Sequence, residues 1–273
     1  MSDWLSGDVT ANGIKIHFYR TAPPSSGKPT LVLSHGATDN GLCWTRLARA
    51  LEADYDIVMP DARGHGLSDA PEADYSTGAR AADLAAFIKA LELGKPAVGG
   101  HSMGAATTLR LVADYPDVAR CAILEDPGFR AAAPSQSDQT ARRERARQQR
   151  EERRALGREG LLAQIRKQHP EWGEGEYGPW VDAQLQVSEQ FTTATRPPDH
   201  SDWRELLPRV KCPTLLITAD PERGAIVSPE IAEEAKRLLP SLQVVRIANA
   251  GHSVRRENFP AYLDAVRSFL TAL

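Results

Sequence analysis

Gly100-His101-Ser102-Met103-Gly104 stands between the apolar run "KPAVGG" and the helix-forming run "AATTLRLVADY". A serine at a sharp strand-to-helix turn, with glycines that let the backbone reverse, carries its hydroxyl above the strand end. The first amides of the helix then point at any negative oxygen that forms there. The chemistry this suits is attack on a carbonyl, with Ser102 as nucleophile and the Met103 N–H as an oxyanion donor. A hydroxyl near neutral pH needs an adjacent base. Of the seven histidines, His252 in "IANAGHSVRRENF" follows the last apolar run in a Gly-flanked loop and so reaches the tip of a sheet. In "LVLSHGA" another strand ends at His35-Gly36, and the turn beyond it offers a second donor, the Ala37 N–H, with His35 itself structural.

The imidazole in turn needs a carboxylate to fix its tautomer and stabilise the imidazolium. Asp126 ends "CAILED" and Asp220 ends "TLLITAD", and both are candidates. Each has a plainer reading: an Asx-turn at Asp126, a turn cap before Pro221 at Asp220.

The elements that must hold these residues are legible as alternating patterns. Asn12-Gly13 before alternating Ile14, Ile16 and Phe18 marks an opening hairpin. Continuous apolar runs at 30–34, 56–60, 96–100, 121–126, 214–220 and 243–247 suit strands buried on both faces. Between them lie helical periods. Leu84, Phe87, Ile88 and Leu91 share a stripe that stops at Gly94, and "SPEIAEEAKRLLP" opens with a Ser228 cap and Pro229 in the first turn. The alternation predicts an α/β fold with a mostly parallel sheet covered on both faces.

It breaks over residues 129–205, where a dense Arg/Glu helical pattern precedes "HPEWGEGEYGPW" and "VDAQLQVSEQF". The charge run reads as a solvated helix face. Trp172, Trp180 and Trp203 must pack either on this segment's own helices or over a pocket in the main sheet.

With 273 residues, one core plus one insertion is the expected organisation. Thirty-three Lys and Arg against 36 Asp and Glu give a formal charge of -3, too balanced to favour nucleic acid or an anionic membrane. Three cysteines with no CxxC spacing read as free thiols in a reducing compartment. The N-terminus lacks a signal-peptide pattern, and the chain reads as soluble and cytoplasmic. No metal-ligand cluster, G-x-G-x-x-G after a strand or P-loop is present, so neither a metal nor a nucleotide cofactor is expected.

In this order, "LVLSHGA", "MPDARGHGLSD", "GGHSMGAATTLRLVADYP", "ILEDP" and "NAGHSVRRENF" resemble the α/β-hydrolase fold superfamily across nearly all of the chain outside the insertion. The resemblance implies an eight-stranded, mostly parallel sheet and a Ser/acid/His triad. It also implies a core at 1–128 and 206–273, and a helical cap at 129–205. Asp61 to Asp69 would shape the loop after the fourth strand, with no catalytic role for His65. Family members hold the acid after the sixth strand or, more often, after the seventh. Here Gly224 stands where a seventh-strand acid is usual. The 24-residue step from Ser102 to Asp126 resembles the haloalkane dehalogenases and zearalenone-type lactonases. That puts Asp126 first and Asp220 second. Serine at the elbow disfavours the alkyl-enzyme route of the dehalogenases, which attack with a carboxylate.

The expected function is hydrolysis of a small carboxylic ester or lactone with an apolar moiety, through an acyl-enzyme. Ser102, His252 and Asp126 would be catalytic, Ala37 and Met103 would form the oxyanion hole, and Trp172, Trp180 and Phe191 would line the substrate path. The same site would also serve a carbon–carbon hydrolase, or a cofactor-free lyase or perhydrolase. A ligand receptor without turnover is a further alternative.

Overall fold

The computed structural model describes residues 4–72, 74–129, 136–194 and 202–273. Within them β1 (Leu5–Ala11), β2 (Ile14–Arg20), β3 (Thr30–Ser34), β4 (Asp56–Pro60), β5 (Ala97–His101), β6 (Cys121–Glu125), β7 (Thr214–Thr218) and β8 (Gln243–Arg246) form one sheet. Their order is β1-β2-β4-β3-β5-β6-β7-β8. The β1–β2 and β2–β4 pairs are antiparallel and the rest parallel.

The opening hairpin turns at Asn12 and Gly13, with φ of 50° and 78°, the positive values a two-residue turn requires. Every residue of β4, β5, β6 and β7 is buried, which is why their sequences run apolar without alternation.

Ten helices accompany the sheet among the described residues: α1 (Thr45–Leu51), α2 (Thr77–Ala90), α3 (Met103–Asp114), α4 (Gln136–Gln168), α5 (Glu174–Gln186), α6 (Glu189–Thr193), α7 (Trp203–Leu206), α8 (Pro229–Leu238), α9 (Val254–Glu257) and α10 (Phe259–Thr271). Ser76 and Ser228 cap α2 and α8 by accepting from Ala79 N and Ile231 N. On one face of the sheet Leu84, Phe87 and Ile88 of α2 pack with Leu109 and Val112 of α3 and Ala235 of α8. On the other, Leu47 and Leu51 of α1 pack with Val266, Phe269 and Leu270 of α10. From β3 the sheet grows one way to β4 and the other way to β5. The crevice between the carboxyl ends of β3 and β5 is thus a switch point, where open α/β sheets bind their ligands.

Helices α4, α5 and α6 all lie between β6 and β7. The Arg/Glu pattern does form a helix, but Gly157, at φ 64°, divides α4 into two pieces. Trp172 and Trp180 pack with Leu161, Ile165, Tyr177 and Val181 of this segment's own helices. Trp203 instead stacks on Phe129 at 4.7 Å, in the core of the main sheet.

Candidate active site

Ser102 sits between β5 and α3 at φ 51°, ψ -109°, a conformation that costs an L-residue about 1–3 kcal/mol and persists only where the surroundings enforce it. The enforcement is visible on both sides. Its N–H donates to the Glu125 carbonyl at 2.9 Å. A Cβ on Gly100 would lie 2.4 Å from the Gly104 carbonyl, and one on Gly104 would lie 2.0 Å from the Ser34 carbonyl oxygen. Both glycines are therefore required by close backbone approach, and the second presses α3 against the exit of β3. Met103 opens α3, so its N–H has no acceptor within the helix.

The β3 exit reaches the elbow from the other side too. A Cβ on Gly36 would come 2.6 Å from His101 Nδ1. Gly36 O accepts from Asp39 N at 3.2 Å and from His35 Nδ1 at 2.8 Å, closing a turn with Ala37 and Thr38 at its centre. Because the peptide is planar and trans, a Gly36 carbonyl held inside the turn sends the Ala37 N–H outward. His35 is buried, and its Nε2 accepts from Ala62 N at 2.9 Å. Burial holds its pKa below the ordinary value. It is a neutral bracket for two loops.

His252 Nδ1 donates to Asp126 Oδ2 at 2.6 Å. Asp126 is fully buried, and its carboxylate also accepts from Ile226 N at 2.9 Å and Val227 N at 2.9 Å. The loop after β7, where Gly224 stands in place of an acid, thus presents amides to the acid that ends β6. A carboxylate on Nδ1 leaves Nε2 as the basic nitrogen. His101 Nε2 donates to the His252 carbonyl at 2.9 Å, tying the histidine loop to the residue beside Ser102.

Asp220 lies elsewhere. It accepts from Asn249 N at 2.8 Å and from Arg246 at 2.8 Å, and these partners hold its pKa below the ordinary carboxylate range. Its side chain braces β8 and the turn at Asn249, and makes no cap bond to the turn at Pro221–Arg223, so the turn-cap reading does not hold either.

Phe191 packs with Tyr75 and Val187, with Met103 against the same cluster, and its ring lies 4.2 Å from that of His65. It borders the elbow. Trp172 is buried within the insertion, its ring beneath the Arg256 guanidinium at 4.9 Å.

One feature of the site was not anticipated. Arg255 and Arg256, both buried, each donate to Asp39 Oδ2 at 3.1 Å. Arg255 also meets Glu125 at 3.3 Å, and Arg256 meets Glu176 of α5 at 3.3 Å. Burial alone would raise the Asp39 carboxyl, but the two guanidinium groups outweigh it and hold the pKa low. These five residues join the turn after β3, the end of β6, α9 beside the histidine loop, and α5. The available signal was a glutamate inside the otherwise apolar "CAILE" and an arginine pair after His252. Buried charges of that kind must find partners.

The sequence model of the alpha/beta hydrolase family matches residues 31–265. The chain belongs to the alpha/beta hydrolase family. It is 30% identical to N-formylmaleamate deformylase of Pseudomonas putida, covering 99% of this chain and 98% of that protein. It is 29% identical to 2-(acetamidomethylene)succinate hydrolase of Mesorhizobium japonicum, over 89% of this chain and 88% of that one. Among solved structures, a thermophilic esterase from Thermogutta terrifontis with malate bound superposes on this hydrolase with a TM-score of 0.73, at 25% identity and 98% coverage of both chains.

Proposed function

We propose that this alpha/beta hydrolase cleaves an acyl bond of a small molecule through an acyl-enzyme on Ser102. The observation that carries the reading is the 2.6 Å contact from His252 Nδ1 to the buried Asp126 carboxylate, with His252 tied to the elbow that holds Ser102. His252 Nε2 takes the Ser102 proton as Oγ attacks the carbonyl carbon, and the Met103 and Ala37 N–H groups receive the oxyanion. Collapse of the tetrahedral intermediate expels the alcohol or amine, which takes the proton back from His252. Water, deprotonated by the same imidazole, then releases the acid. The helices between Phe129 and Glu205 act as a cap over the crevice. Phe191 offers an apolar wall there, and Trp172 and Trp180 stiffen the cap from within.

An ester or lactone is the substrate read from the sequence. The names of the two long-range relatives favour a second form, in which the leaving group is the nitrogen of an N-formyl or N-acetyl amide. The chemistry differs at one step: an amine leaves only when His252 protonates it.

The test is hydrolysis of p-nitrophenyl esters, lactones and N-acyl enamides of short carboxylates by wild type and by Ser102→Ala. Wild-type turnover on at least one class, with loss in the folded Ser102→Ala variant, is the expected result. Equal rates in the two would end the nucleophile reading.

A further inference from the structure

Thr38 is a β-branched residue at φ 65°, the third position of the turn closed by Asp39 N and Gly36 O. Turns with positive φ there ordinarily carry glycine or asparagine. For threonine the left-handed conformation is strained, so the turn relaxes unless something outside it holds it. The holder sits on the insertion. Gln184 of α5, only 2% exposed, donates from Nε2 to the Thr38 carbonyl at 3.0 Å. Because the partner is a carbonyl, the donor must be the amide nitrogen, and Gln184 Oε1 has no partner among the described residues. Two further links run from α5 to the same turn: Gln186 accepts from Asn40 Nδ2 at 2.8 Å, and Glu176 reaches Asp39 through Arg256. Thr38 N in turn donates to His65 Nε2 at 3.4 Å.

We infer that Gln184 is a positioning residue for the oxyanion site, holding the turn at Gly36 to Asp39 in the strained form that directs the Ala37 N–H outward. This rests on the acyl-hydrolase reading of Ser102. In this arrangement α5 supports the catalytic turn as well as covering the crevice. Losing the Gln184 bond weakens stabilisation of the transition state and leaves substrate binding in place.

The experiment compares wild type, Gln184→Met, Thr38→Gly and the double variant Gln184→Met/Thr38→Gly, with Arg158→Ala as a control that breaks an exposed pair with Asp182 of the same helix as Gln184. Methionine keeps the volume of Gln184 and removes the donor. Gln184→Met is expected to lower kcat about 10- to 100-fold with KM changed less than about threefold. The double variant recovers most of that loss, because glycine holds the turn without outside help. Arg158→Ala is expected to leave kcat intact. A Gln184→Met variant with wild-type kcat, or a double variant no better than the single one, overturns the proposal.

Hydrogen exchange across residues 35–41 separates this inference from the one it rests on. A wild type inert on every ester, lactone and amide counts against the acyl-hydrolase reading. Exchange in Gln184→Met then still decides the clamp, faster exchange at the turn supporting it and unchanged exchange overturning it.

Discussion

The Asp126 carboxylate receives three donors, from His252, Ile226 and Val227, and an amide in its place satisfies them unequally. In Asp126→Asn the side-chain oxygen still accepts from the backbone, so its NH2 faces His252 Nδ1 and forces the proton onto Nε2. The base toward Ser102 is lost. We expect kcat to fall by about 10⁴-fold with folding retained. Asp220→Asn keeps its acceptor for Asn249 N and leaves kcat at the wild-type level. Steady-state kinetics of the two variants checks both statements. The choice between these acids was open in the sequence because it depends on where the loop after β7 directs its amides, and spacing along the chain carries no record of that.

At the scale of elements, the approach of α3 to β3 is the contact that brings the two proposed oxyanion donors together. Gly104→Ala would put a methyl carbon 2.0 Å from the Ser34 carbonyl, a backbone atom with no rotamer to yield. We expect a loss of about 1–3 kcal/mol or more in urea unfolding, together with reduced activity as the β3 exit moves away from the elbow. Local features of this level were readable: the Asn12-Gly13 hairpin, the Ser228 cap and the buried runs all declare themselves within a few residues. The break of α4 at Gly157 was masked by the Arg/Glu periodicity on both sides of it. Trp203, which reads as part of the insertion, belongs to the main core because its partner Phe129 lies far away in the chain.

For the whole molecule, the buried ion cluster is the least legible part and among the most consequential. Its members come from residues 39, 125, 176, 255 and 256, so the glutamate in "CAILE" and the arginine pair signal buried charge without saying which partners they find. Removing one charge strands the others in a dry interior. Arg256→Met is expected to cost about 3–5 kcal/mol of global stability, measured by denaturant unfolding. A second global property follows from the buried rings. Burial holds His35 and His101 below the ordinary imidazole value of 6.5 in the folded protein. As pH falls past that value the unfolded chain binds the protons first. Stability is therefore full above about pH 6.5 and declines below it, by up to about 1.4 kcal/mol per pH unit for each ring. Unfolding curves at about pH 8 and about pH 5.5 would show the midpoint lower in acid, and an unchanged midpoint would contradict neutral burial of both rings.

The stacked rings of Phe129 and Trp203, 4.7 Å apart, lie where the chain leaves the sheet after β6 and where it comes back before β7. A chain that departs and returns through the same doorway makes what lies between topologically removable. Another helical segment of different length or lining can be spliced there with both junctions already anchored, so the substrate range of such a scaffold can diverge while its catalytic floor is inherited unchanged. The three α5 links to the turn after β3 set the limit on that freedom, since any exchanged segment has to bring its own means of holding Thr38.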